Sequence, residues 1–156
     1  MTARPDRHAT FTIERTLPGR PVHAWRFWAE PALKQAWSGC HPDWTMLEEA
    51  QDFRAGGRDF SRMRDTQGTI HAVDIRYLDL LAPQRILYAY TMHQDGVLLS
   101  AGLVTIDLLP RGAATGMVYT EQLTLLAGDM AARRAGTAEG FDRLVLAMGH
   151  APATLH

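Results

Sequence analysis

A chain of 156 residues is the size of one domain with a core of its own, and 46% apolar with 21% charged residues is a globular composition. A formal charge of −1 and a pI near 6.6 argue against nucleic acid or an anionic membrane as partner, since both need a basic surface. The basic residues are Arg apart from Lys34, and they form no stripe. The opening MTARPDRHAT lacks the apolar core of a secretory signal, and no window reaches the ~18 apolar residues of a membrane span. A cytoplasmic location is therefore expected. Cys40 is the only cysteine, which excludes an intrachain disulfide; beside His41 it is expected to be an inert thiol.

In chain order, residues 1–9 read as a flexible arm and 10–150 as a single domain, with 151–156 a short tail. Thr10 to Leu17 alternates apolar and polar residues as a strand does. Leu17-Pro18-Gly19 breaks it, and Pro21 suits the first turn of a short helix with Val22, Trp25, Phe27 and Trp28 inward. Glu30-Pro31 interrupts that helix, because the residue before proline is pushed out of the α region, and a second short helix runs to Trp37. Strands are then expected over Trp44 to Ala50, Arg58 to Arg64, Thr69 to Leu80, Arg85 to His93, Leu98 to Leu109 and Thr115 to Leu126. Their turns are Ala55-Gly56-Gly57, Asp65 to Gly68, Ala82-Pro83-Gln84, Gln94-Asp95-Gly96 and Pro110-Arg111-Gly112. Short turns between successive strands make an antiparallel meander. Met130 to His150 then reads as one long amphipathic helix. Thr137, Phe141, Leu144, Val145 and Met148 lie on one face; Arg133, Glu139, Asp142 and Arg143 lie largely on the other. The order is β-α-α-β-β-β-β-β-β-α, an α+β fold with one interface between sheet and long helix.

Several stretches sharpen that order. Phe11 to Arg15 followed by Pro21-Val22-His23-Ala24-Trp25, then Glu30-Pro31 with Trp37, resembles the opening of the Aha-like branch of the START-like (SRPBCC) superfamily. Asp52-Phe53-Arg54-Ala55-Gly56-Gly57 and Tyr77-Leu78-Asp79 with Pro83-Gln84-Arg85-Ile86 resemble its next motifs in order, and Thr120-Glu121-Gln122 and Arg134 with Gly136-Thr137 and Leu144 resemble the C-terminal signature of a polyketide-cyclase-like bacterial subgroup. Trp37-Ser38 stands where paired tryptophans are common. The resemblance covers about residues 10–150 and implies a helix-grip fold: a curved antiparallel sheet of six to seven strands gripping the long C-terminal helix, with two short helices closing one end. It further implies a cavity between sheet and helix for a small hydrophobic or amphipathic molecule, and a homodimer. It does not select one chemistry, since the superfamily spans carriers, receptors, polyketide cyclases and a co-chaperone ATPase activator.

Candidate site residues follow from period-two alternation. Tyr88, Tyr90 and Met92 share a strand face with Ile86, and Tyr119 and Glu121 share one with Met117 and Leu123. These, with Trp37, Tyr77, Phe141, Leu144 and Met148, are the expected ligand-binding residues, aromatic bodies with a few polar tips. Plain core is the competing reading. Glu121 on an apolar face is costly unless paired or protonated, so it is a general acid–base, the partner of Arg15, Arg54 or Arg134, or on the solvent side of a strand whose other face is buried. His71, on the face of Val73, Ile75 and Tyr77, is the second catalytic candidate or a satisfied core histidine. Any activity would be cofactor-free acid–base chemistry of cyclase, dehydratase or hydrolase type, and no histidine or carboxylate spacing suggests a metal. The rival function is a protein-interaction module like the co-chaperone activator. Gly56-Gly57 is expected to be a bulge that bends the sheet. Gly136 and Gly140 either loosen the long helix or leave room beside it.

Overall fold

The computed structural model describes residues 7–39 and 41–150. Cys40, most of the expected N-terminal arm and the C-terminal tail lie outside the described residues. Seven strands form one antiparallel sheet, β1 (His8–Leu17), β2 (Thr45–Gln51), β3 (Arg58–Arg64), β4 (Ile70–Leu81), β5 (Arg85–Gln94), β6 (Val97–Arg111) and β7 (Ala114–Leu125). Their spatial order is β1-β7-β6-β5-β4-β3-β2. The helices are α1 (Pro21–Ala29), α2 (Pro31–Ser38) and α3 (Met130–His150). This is the expected helix-grip fold. β1 and β2 are the two edges, so α1 and α2 carry the chain from one edge to the other. β1 begins at His8, so the last two residues of the expected arm already pair with β7.

Local chemistry sets the turns. Asp65 accepts hydrogen bonds from the N–H groups of Gln67 and Thr69 at 2.9 and 3.0 Å, and Gly68 takes the left-handed φ of 84° that closes the β3–β4 hairpin. Asp95 and Gly96, at φ 49° and 80°, make the two-residue β5–β6 turn, whose positive φ values match the twist of the strands. β6 continues through Pro110 and Arg111, beyond the expected break, because Arg111 pairs with Ala114 around a turn at Gly112.

Gly56-Gly57 forms the β2–β3 turn, the first of its two expected roles, and not a bulge. A Cβ on Gly57 would fall 2.1 Å from the Asp52 carbonyl oxygen, and the turn docks on β4 through Gly56 N–H to Tyr77 O at 2.7 Å and Tyr77 N–H to Gly57 O at 3.0 Å. The register shifts that bend the sheet lie at Met46/Glu48, Tyr77/Asp79 and Met92/His93.

The core sits under α1 and α3. Phe27, Trp28, Leu144, Met148, Ile106, Leu108 and Met117 are all buried there. Val22, expected to face inward, is 63% exposed, because the buried stripe of α1 is His23, Ala24, Phe27 and Trp28, one residue further along. α2 contributes no fully buried residue. No described helix is long and apolar enough to cross a membrane.

Candidate functional site

The strand registers lay the concave face out in rows. Phe11, Glu121, Val104, Tyr88 and Tyr77 form one. Leu123, Gly102, Tyr90, Ile75, Asp59 and Gln51 form the next. Leu125, Ser100, Met92, Val73, Ser61 and Glu49 form the third. At the β7 end these rows are closed by α3; at the β2 end they are open beneath α2.

The closed end holds Glu121, which is fully buried. The hydroxyls of Tyr90 and Tyr119 donate to it, the latter at 2.5 Å, and Arg133 Nη2 donates at 3.2 Å. Gly102 is what lets Tyr90 reach it: a Cβ there would stand 2.9 Å from the tyrosine ring and 2.6 Å from Gln122 O. Burial, with the nearby Glu121 carboxylate adding to it, raises the Tyr88 and Tyr90 hydroxyls well above the ordinary tyrosine value. Tyr119 is raised too, by burial first and then by Tyr88 and Glu121, so these hydroxyls remain donors. The guanidinium of Arg133 also lies over the Tyr90 ring, 5.3 Å from its centre, and touches the Met92 sulfur.

Arg133 was expected on the outer face of α3, and none of the three arginines expected beside Glu121 is its partner. Arg15 pairs with Asp142, Arg54 with Asp52, and Arg134 donates to Thr12 O. Arg133 stands one and two helical turns before Thr137 and Phe141, on the stripe that faces the sheet. That spacing could have found it.

His71 does not meet Glu121. It lies six residues along β4 from Tyr77, about 20 Å at ~3.3 Å per residue, at the open end of the sheet. There its Nε2 bonds Asp65 Oδ2 at 2.9 Å and its ring stacks on Trp44 at 4.7 Å. The hydrogen bond from His71 holds the Asp65 carboxyl below its ordinary value.

Phe141, Leu144 and Met148 are 3, 0 and 2% exposed and belong to the packed core. Trp37 is a strut between helices: its indole N–H donates to Phe27 O at 2.9 Å, and its ring meets Trp28 and Phe141 at 5.3 and 5.9 Å. A cavity of about 520 Å³ opens instead between α2 and strands β2–β4. Its floor is Met46, Met63, Val73 and Ile75, and its polar lining includes Lys34, Asp59, Ser61 and Gln51. None of the expected ligand-binding residues borders it directly. Tyr77 lies just behind it, its hydroxyl donating to Asp59 Oδ2 at 3.0 Å while Lys34 Nζ pairs with the same oxygen and lies 3.4 Å from the phenol. Burial, reinforced by Asp59, pushes the Tyr77 hydroxyl far above its ordinary value, so it too stays a donor. Sequence reasoning passed over Lys34 and Asp59. The available signals were that Lys34 is the only lysine and that Asp59 alternates inward with Ser61 and Met63.

A second cavity, of about 530 Å³, lies outside the core between the start of α1 and the β4–β5 and β6–β7 turns, lined by Val22, Leu81, Pro83 and Leu109 among others. No cluster of three or more His, Cys, Asp or Glu side chains among the described residues is placed to hold a metal ion.

Solved structures share this architecture. An uncharacterised protein of Rhizobium leguminosarum is 37% identical, with a TM-score of 0.87 over 92% of this chain and 96% of that one. A Rhizobium loti protein is 33% identical, with a TM-score of 0.82 over 90% and 96%. An AHSA1-like protein of Aeromonas hydrophila, at 19% identity and a TM-score of 0.72 over 95% and 97%, shares the fold. No curated protein matches. A family model described as Activator of Hsp90 ATPase homolog 1-like protein matches residues 20–149, most of the domain just described, and the chain belongs to that Aha-like family of the START-like superfamily.

Proposed function

We propose that the chain binds a small amphipathic molecule in the groove beneath α2. The observation that carries this reading is the pairing of an apolar floor with one polar end. Met46, Met63, Val73 and Ile75 offer apolar surface, and Lys34 and Asp59 offer charged hydrogen-bonding groups on the same wall. A volume of about 520 Å³ falls among those of small-molecule pockets, roughly 300–1,000 Å³. The fold family is one of ligand-binding domains, which agrees with this use of the groove. Glu121 has an architectural role in this reading. It takes hydrogen bonds from three donors and is closed to solvent, so it organises the end wall on which the groove rests and not a reaction.

Ser61, in the middle of the lining, gives the test. Native mass spectrometry of the protein recovered from cells should show a small-molecule adduct. Ser61→Trp, which fills the groove, should lose it while remaining folded. Equal adduct on both proteins would contradict the assignment.

A second reading takes the family description at its word, as activation of an Hsp90-type ATPase. Val22, Leu81 and Leu109, 63, 45 and 51% exposed around the second cavity, are the apolar surface such a role would use. Adding the protein to a purified Hsp90 ATPase should leave steady-state ATP turnover unchanged if the groove is the functional site. A several-fold rise that Leu109→Glu abolishes would favour the second reading.

A further inference from the structure

The polar end of the groove carries more information than its being polar. Lys34 Nζ and the Tyr77 hydroxyl both spend a donor on the same oxygen, Asp59 Oδ2. An ammonium has three donors, so Lys34 keeps one N–H beyond its contacts with Asp59 and Tyr77. Among the described residues Asp59 Oδ1 accepts no hydrogen bond, and Asp59 lines the groove, which leaves that oxygen's lone pairs to a ligand. The pair therefore presents one donor and one acceptor side by side while its charges cancel.

The remaining charged group in the lining is Glu49, on the rim, where it accepts from Gln35 Nε2 at 3.1 Å. Lys34 at +1 with Asp59 and Glu49 at −1 each leaves the lining at −1. A carboxylate entering such a groove meets Asp59 in front of the only cation and loses its water without a free countercharge. An ammonium faces the converse problem, because Lys34 stands beside the acceptor it would need. A hydroxyl suffers neither penalty and can use both free sites at once, accepting from Lys34 and donating to Asp59 Oδ1. Hydrogen bonds to charged partners contribute about 1.5–3 kcal/mol each in net stability when well made, so this match is worth discrimination.

Resting on the ligand-binding reading above, we propose that the groove selects a neutral amphiphile with a hydroxyl at its polar end, held by Lys34 and Asp59, and rejects fatty-acid-like anions. Tyr77 is a positioning residue. It holds Asp59 Oδ2, which leaves Oδ1 facing the ligand, and its raised hydroxyl pKa keeps it donating.

The experiment is calorimetric titration of the full chain with 1-octanol, octanoate and octylammonium. The expected order has octanol tightest by about tenfold or more over both ions, which is ~1.4 kcal/mol. Asp59→Asn keeps the shape, brings the lining to zero net charge and frees Lys34. That variant should gain octanoate binding and lose the preference for octanol. Lys34→Gln should weaken octanol without admitting octanoate. Octanoate binding the unaltered protein as tightly as octanol overturns the proposal and leaves the ligand-binding reading standing. Absence of both heat and methyl NMR shifts at Met46 and Met63 with all three probes, in a protein whose circular dichroism is that of a folded chain, overturns both.

Discussion

The two halves of the concave face are built from the same rows of residues and end differently. At the β7 end, α1 and α3 lie on the sheet with Phe27, Leu144 and Met148 wholly or almost wholly buried, and the buried carboxylate there, Glu121, is matched by three donors, the Arg133 guanidinium among them. At the β2 end, α2 buries no residue completely, and β2 none either. There the layers are joined by polar struts: Lys34 to Asp59, Gln35 to Glu49, and Gln51 Nε2 to Trp28 O at 3.2 Å. Apolar contact closes a gap, whereas hydrogen bonds can span one. The same sheet therefore supplies a packed core at one end and a groove at the other.

The largest effect that would break this comparison is expected at Glu121. Glu121→Ala leaves the Arg133 guanidinium without its carboxylate and two tyrosine hydroxyls without their acceptor, and should cost about 3–5 kcal/mol in urea unfolding. A cost near zero would mean that the network is not closed. Leu144→Ala, at a fully buried site, should cost about 2–5 kcal/mol, well above Val73→Ala on the partly open groove floor. Equal costs at the two sites would remove the distinction between core and groove. Gly102→Ala should cost about 1–3 kcal/mol, because the new Cβ meets both Gln122 O and the Tyr90 ring. Loss of near-ultraviolet tyrosine circular dichroism would report the displaced ring.

Gly136→Ala has the opposite sign. A Cβ there meets nothing within 4 Å, so the change should stabilise α3 by about 1 kcal/mol. A loss would show that something occupies that space.

The smallest effect expected is a pH slope from His23. Burial, followed by the charge of Arg26, lowers its pKa below 6.5. The unfolded chain then binds a proton before the folded one does, so stability falls as pH drops through 6.5 toward the folded value. His23→Leu should flatten the wild-type slope in that window, measured by urea midpoints at pH 7.5 and 5.5. An unchanged slope would contradict the assignment.

The element order was legible because its signals are local. Asp65 to Gly68 and Asp95-Gly96 carry their own turn chemistry, and Pro21 and Pro31 open the two short helices. The aromatic and apolar rows were legible from alternation alone. Which end of those rows is filled was not, because it depends on where α2 and α3 lie, and no alternation records that. Trp37 reads as a ligand contact by type but is spent joining α1, α2 and α3. Arg133 was misplaced because an arginine reads as solvent-facing by type, although its spacing from Thr137 and Phe141 puts it on the inner stripe of α3. Lys34 and Asp59 come from a helix and a strand 25 residues apart, and only their contact makes either noticeable.

The most direct measurement is carbon-13 methyl NMR of the methionines during titration with 1-octanol. Met46 and Met63 line the groove, while Met117 and Met148 lie in the core at 1 and 2% exposure. Saturable shifts at Met46 and Met63 with Met117 and Met148 unmoved are the predicted result. Shifts centred on Met148 and Met117 would place the ligand between sheet and α3 and contradict the account.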